Sequence, residues 1–205
     1  MKKSTFGELI ANAVSHGIGA LFGIIALITM VIRSDSTRET IAGLAFGIAL
    51  IFLYGSSTLY HSFPSSMIKT KSVFRRFDHS AIFVLITGTY TAFVLLTMDV
   101  FIGYLLLGIL WTLTIIGIVL KSIWIKRFQI IHVVIYLAMG WSVVFIIGDV
   151  IGGLGNGFWL LLAGGISYTV GVGFYAMRFK YNHFIWHLFV LMGSVFHFIA
   201  IWNLM

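Results

Sequence analysis

Seven long apolar stretches, separated by short polar segments, dominate the chain. Each is close to the roughly 20 residues that an α-helix needs to cross the hydrocarbon core of a bilayer. The pattern predicts an all-α fold, a seven-transmembrane helix bundle that forms a single integral membrane domain over residues 1–205. The predicted spans lie at about residues 13–32, 40–61, 78–98, 100–120, 129–150, 157–177 and 183–204.

The composition excludes a water-soluble fold. Hydrophobic residues occupy 60% of the 205 positions and charged residues 9%, whereas an ordinary globular domain has about 45–50% and about 25%. Seven spans and their connections leave no room for a separate nucleic-acid-binding module or extramembrane enzyme. The sequence has no cysteine, so disulfides, thiolate metal ligands and thiol nucleophiles are excluded as well.

The distribution of lysine and arginine predicts the orientation in the membrane. The N-terminus and the second, fourth and sixth connections would share one side, and they carry Lys2, Lys3, Lys69, Lys71, Arg75, Arg76, Lys121, Lys126, Arg127, Arg178 and Lys180. On the other side, Arg33 and Arg38 are offset by Asp35 and Glu39. Because positive charge collects on the cytoplasmic side, we predict a cytoplasmic N-terminus and an extracytoplasmic C-terminus. The formal net charge of +7 then needs no nucleic-acid partner.

Glycine and proline mark predicted contacts and helix ends. The four-residue spacing of Gly19 with Gly23 and of Gly43 with Gly47 favours close helix packing. Pro64 is expected to stop the second helix. An outer turn is predicted at Gly152, Gly153, Gly155 and Gly157.

Three of the seven histidines fall at the predicted cytoplasmic end of the bundle. His183 and His187 are four residues apart, so they project from one face of the seventh helix. His61 closes the second span with Ser57 one turn before it, and Asp78 opens the third. Two imidazoles from one helix, a third from another and a nearby carboxylate make a candidate metal centre.

Zinc suits this donor set. Three imidazoles with an open fourth position form the catalytic zinc arrangement, in which the pKa of the bound water falls to about 7. Calcium and magnesium require more oxygen ligands than one aspartate supplies. Two alternatives remain open: non-haem iron with a directly bound carboxylate, and an interfacial histidine pair without a metal. Asp78 either ligates the metal itself or binds its water and acts as general base.

The segments that contain these residues resemble the hemolysin III family of bacterial membrane proteins, relatives of the progestin and adiponectin receptors. The resemblance rests on Glu8, NAVSHGIG with His16, SSTLYHSF, RRFDHSAIF and HFIWHLFVLMGSVFHF. In the receptor branch, a Ser-xxx-His, an aspartate and a His-xxx-His at the matching places bind zinc. The resemblance thus implies a zinc ion held by His61, His183 and His187, which Asp78 reaches through water.

The family also resembles alkaline ceramidases, which cleave a lipid amide. This resemblance implies a plasma-membrane hydrolase that acts on a lipid amide or ester at the inner leaflet and influences membrane composition. Asp78 would be the general base, and Ser57 would hydrogen-bond to the water or to the developing oxyanion. Two other functions stay open: a non-enzymatic sensor or interaction protein with a structural zinc, and a pore-forming haemolysin.

The remaining histidines are interpreted as structural or supporting residues. His16 lies near the inner face of the first span, and His197 lies near mid-membrane, where an imidazole needs a partner. His79 is expected to point away from Asp78, because adjacent residues on a helix diverge by about 100°. His132 is expected to be an interfacial residue.

Overall fold

The protein is described by a computed structural model that covers residues 5–97, 101–124 and 129–205. Within these ranges every regular element is helical and no strand occurs. The helices are α1 (Phe6–Arg33), α2 (Thr37–Ser62), α3 (Ile68–Thr97), α4 (Phe101–Trp124), α5 (Gln129–Gly140), α6 (Ile147–Leu154), α7 (Phe158–Ala176) and α8 (Asn182–Trp202). Four residues that contribute to the predicted charge asymmetry lie outside the described ranges: Lys2, Lys3, Lys126 and Arg127.

Six helical segments of the described chain are long and apolar enough to cross a bilayer, namely α1 to α4, the run Ile130–Ala176 and α8. The 47-residue run would be about 70 Å long as one straight helix, more than twice the hydrocarbon thickness. It is not straight. Gly155 has a φ of 50°, and the indole Nε1 of Trp141 donates a hydrogen bond to Thr169 Oγ1 at 3.0 Å. Residues before and after Gly155 therefore lie side by side.

The predicted fifth span, residues 129–150, has an interrupted backbone. Between α5 and α6 the chain forms a 3₁₀ segment, Trp141–Ile146. The Tyr90 hydroxyl of α3 donates to the Gly140 carbonyl at 2.8 Å and accepts from the Val143 amide at 2.7 Å. Because buried backbone groups need hydrogen-bond partners, Tyr90 compensates for the change in helix type.

Helix ends differ from the predicted spans in instructive ways. α3 begins at Ile68, ten residues before the predicted start at residue 78, so Asp78 lies inside the helix and not at its first turn. Hydropathy detects the apolar part of a helix, whereas this one continues through a basic stretch. Pro64 follows the end of α2, as predicted. Gly152 and Gly153 belong to α6, so the predicted outer turn is confined to Gly155–Gly157.

The α1–α2 interface confirms the predicted glycine packing. A Cβ atom at Gly47 would lie 2.8 Å from Leu27 Cα, and one at Gly23 would lie 3.1 Å from the Ile51 backbone nitrogen. The two backbones therefore approach too closely for larger residues at these positions. α2 also packs on α3, and α8 packs on both α1 and α7. This arrangement brings the end of α2 and the start of α8 against the N-terminal half of α1.

Candidate metal centre

Three histidines from two helices meet where the last turn of α2 approaches the first turns of α8. One ring nitrogen each from His61, His183 and His187 lies within 4.8 Å of the others. The Nε2 atoms of His61 and His183 are 3.2 Å apart. His61 and His187 are buried and His183 is partly buried. The fold therefore brings together His61 and His183, which are 122 positions apart in the sequence.

The cluster fits a small ion that prefers nitrogen ligands. Two nitrogen ligands of a tetrahedral zinc ion are about 3.3 Å apart, because each Zn–N bond is 2.0–2.1 Å long. The separation of 3.2 Å between His61 Nε2 and His183 Nε2 agrees with that value. A cluster with three imidazoles and no carboxylate suits zinc better than calcium or magnesium, which prefer oxygen ligands.

Asp78 and Ser57 lie beside the histidine triad, and the Asp78 carboxylate is outside the 4.8 Å cluster. The Asp78 carboxylate interacts electrostatically with the imidazoles of His61 and His183. Ser57 is fully buried, and its hydroxyl lies near Asp78 without completing a hydrogen bond of ordinary geometry. An acceptor and a donor thus adjoin the triad, where they can act on a molecule bound next to it.

The orientation predicted for His79 is wrong. Its Nδ1 lies 3.2 Å from Asp78 Oδ2, so the two neighbouring side chains approach each other. Successive Cα–Cβ bonds do diverge by about 100° on a helix, but a histidine and an aspartate are long enough to bend together. The His79 carbonyl also accepts a hydrogen bond from the Tyr136 hydroxyl at 2.8 Å. His79 is therefore a direct neighbour of the candidate base.

α1 contributes contacts to His187 that the sequence interpretation did not assign. His187 Nδ1 lies 3.2 Å from the Asn12 carbonyl oxygen and 3.2 Å from Ser15 Oγ. The His16 ring stacks on the His187 ring, with centroids 3.4 Å apart and an angle of 12° between the planes. The sequence does hold a signal, because Asn12, Ser15 and His16 have the i, i+3, i+4 spacing of one helical face.

The N-terminus of α1 also holds the chain where α8 begins. Thr5 caps α1, and its backbone amide donates to Glu8 Oε2 at 2.6 Å. The other oxygen of this carboxylate, Oε1, accepts from the backbone amide of Tyr181 at 3.0 Å. Tyr181 has a φ of 62°, a left-handed conformation that is uncommon for a residue other than glycine. Glu8 thereby fixes the turn that positions His183 two residues later.

Comparison with known proteins assigns the family. A profile of the family described as "Haemolysin-III related" matches residues 7–198. The chain belongs to this family. Hemolysin-3 of Bacillus cereus is 44% identical over 95% of this chain and 90% of its own length. The Hemolysin-3 homolog of Bacillus subtilis (strain 168) is 42% identical over 96% of this chain and 94% of its own length. The Monocyte to macrophage differentiation factor of Homo sapiens is 25% identical over 98% of this chain and 86% of its own length.

These similarities confirm the hemolysin III resemblance and a more distant relationship to the progestin and adiponectin receptor family. The matched range of this haemolysin-III related chain contains the histidine triad, Asp78 and Ser57. It also contains Glu8, Asn12, Ser15 and His16. The multi-pass membrane character predicted from the apolar stretches agrees with the family assignment.

Two further histidines of this haemolysin-III related protein lie away from the triad. His132 is 2% exposed and its ring lies edge-on to Phe83, so the protein covers its side chain in the first turn of α5. Packing of α5 against α3 covers it, which hydropathy alone does not reveal. His197 has the partner that its depth requires, because its Nε2 lies 3.1 Å from the Leu161 carbonyl oxygen.

Proposed function

We propose that the protein is a zinc-dependent membrane hydrolase that cleaves a lipid amide or ester. The observation that carries this proposal is the triad of His61, His183 and His187, two of them buried and one partly buried, beside a carboxylate and a hydroxyl. Three imidazoles leave a tetrahedral ion one open position, which is the difference between catalytic and structural zinc sites. The location within an integral membrane protein favours a lipid substrate.

His61, His183 and His187 are the proposed zinc ligands. When bound, zinc polarises a carbonyl group and lowers the pKa of water to about 7. Asp78 would accept the proton from the attacking water and return it to the leaving amine or alcohol. The Ser57 hydroxyl would donate a hydrogen bond to the oxyanion that develops on the carbonyl oxygen. Burial of this hydroxyl strengthens such a bond, because water does not compete for it.

The same proposal includes seven crossings with a cytoplasmic N-terminus. The reversal at Gly155 and the hydrogen bond from Trp141 to Thr169 favour two crossings within Ile130–Ala176. With seven crossings, the end of α2 and the start of α8 share the side that carries most of the lysine and arginine. The triad would then lie near the cytoplasmic face of the plasma membrane, within reach of inner-leaflet lipids.

Reporter fusions after Met205 should read as extracytoplasmic, because an odd number of crossings places the two termini on opposite sides. The measurement uses paired alkaline phosphatase and green fluorescent protein fusions, which are active on opposite sides of a bacterial membrane. A fusion within the turn that follows α7, after Lys180, serves as the cytoplasmic control. A cytoplasmic signal after Met205 would show six crossings and overturn this topology.

The purified, zinc-loaded protein should release fatty acid from a lipid amide or ester, and removal of the zinc by a chelator should stop the release. Mass spectrometry of total lipid extract in reconstituted vesicles measures the product without prior choice of a substrate. Re-addition of zinc should restore the activity. A sensor with a structural zinc, or a pore, would leave the lipids intact, and vesicle leakage without hydrolysis would favour the pore.

A further inference from the structure

His187 contacts a third helix, α1, through its Nδ1 atom. Its Nδ1 lies 3.2 Å from the Asn12 carbonyl oxygen, which can only accept a hydrogen bond. Nδ1 must therefore carry the proton in this contact. The Ser15 hydroxyl donates to the same carbonyl at 3.1 Å, and its oxygen lies 3.2 Å from Nδ1. All three contacts are satisfied by a single assignment of protons.

That assignment fixes the tautomer of His187. With the proton on Nδ1, the lone pair of the neutral ring is on Nε2, and Nε2 is the atom left to bind a metal ion. Histidine ligands of metals usually donate their other ring N–H to a carbonyl or carboxylate, which orients the ring and raises its basicity. The α1 backbone supplies that acceptor here.

His16 holds the plane of the His187 ring. The two rings are nearly parallel, with centroids 3.4 Å apart, and Tyr54 abuts His16 edge-on at 5.0 Å. The Tyr54 hydroxyl donates to Ser194 Oγ at 2.7 Å, so this support is itself anchored to α8. Neither nitrogen of His16 has a hydrogen-bond partner among the described residues. The contribution of His16 to the site is therefore made through its ring face.

We propose that Ser15 and His16 are positioning residues that set the metal affinity of the centre through His187. Ser15, together with the Asn12 carbonyl, fixes the tautomer, and His16 fixes the ring plane. This inference rests on the proposed zinc site and adds α1 to it. His61 has no comparable partner, because its Nδ1 is buried without a hydrogen bond among the described residues. His187 thus has an outer-shell partner that His61 lacks.

The test is zinc affinity, measured by chelator competition on the purified full chain. Ser15→Ala should weaken zinc binding about 10-fold, the low end for loss of an outer-shell partner, because the Asn12 carbonyl remains. His16→Ala should weaken it by a similar factor, and the double variant about 100-fold. His16→Phe should bind almost as tightly as wild type, since a phenyl ring preserves the stack.

Ser56→Ala is the matched control. Ser56 is also buried, and its hydroxyl also donates to a carbonyl three residues earlier at 3.1 Å, but the described structure gives it no histidine contact. This variant should keep wild-type zinc affinity. Cobalt(II) provides a second readout, because its visible absorption reports ligand geometry. The Ser15 and His16 alanine variants should alter that spectrum, while Ser56→Ala and His16→Phe leave it unchanged.

Wild-type zinc affinity in both Ser15→Ala and His16→Ala would overturn the positioning role, as would an equal loss in Ser56→Ala. Melting temperatures without zinc separate a folding defect from a metal defect. If His16→Ala does not fold, Ser15→Ala and His16→Phe still decide the outcome. Failure of the proposed function is a different result, in which the wild-type protein itself binds no zinc or releases no fatty acid.

Discussion

Replacement of both His183 and His187 by alanine should abolish zinc binding. The substitutions remove two of the three imidazoles whose nitrogens lie within 4.8 Å of one another. A single imidazole cannot retain zinc against a chelator, so the loss should exceed the roughly 100-fold that outer-shell substitutions reach. Elemental analysis of the purified protein should show a single zinc ion per wild-type chain and none in the double variant.

His197→Ala is the control for this experiment. His197 lies on the same helix and is also buried, but its Nε2 contacts the Leu161 carbonyl and not the triad. It should retain full zinc content even if its stability falls. A double variant that keeps its zinc would contradict the assignment of His183 and His187 as ligands. A wild-type protein purified under zinc-replete conditions without any metal would contradict the site as a whole.

The local parts of the site could be predicted from the sequence because they depend on helix geometry alone. The four-residue spacing of His183 and His187 places both on one face of any α-helix. Positive charge along the connections then grouped His61 at the same end of the bundle. The contact between α2 and α8 could not be predicted in this way. Helices in lipid associate through shape and small residues, and hydropathy does not encode that packing.

The sequence predicts a supporting role for His16, but not its partner. The contacts of Ser15 and His16 with His187 depend on how α8 packs against α1. The orientation predicted for His79 is wrong because its contact with Asp78 depends on side-chain length, which helix geometry alone does not include. The 3₁₀ segment within Ile130–Ala176 depends on Tyr90, which is 50 residues from its partner Gly140.

The choice between catalysis and a purely structural zinc depends on Asp78. Asp78→Asn preserves the shape of the side chain and removes the charge and the proton-accepting oxygen. If Asp78 is the general base, this variant should retain zinc and most of its thermal stability, because the three imidazoles remain. Its rate of fatty acid release should fall about 100- to 10,000-fold, the usual contribution of general acid–base catalysis.

Two further variants serve as controls. Asp149 is an exposed residue of α6 and lies away from the triad. Asp149→Asn removes the same charge as Asp78→Asn and should leave the rate of fatty acid release unchanged. His61→Ala should lose zinc and activity together, because it removes a ligand. Zinc content, melting temperature and the lipid profile of the expressing cells should be measured in parallel for each protein.

A lipid profile for Asp78→Asn identical to that of wild type, together with damaged folding in His61→Ala, would contradict the hydrolase proposal. Zinc would then be a structural link between α2 and α8, and the carboxylate beside it would serve only to balance charge.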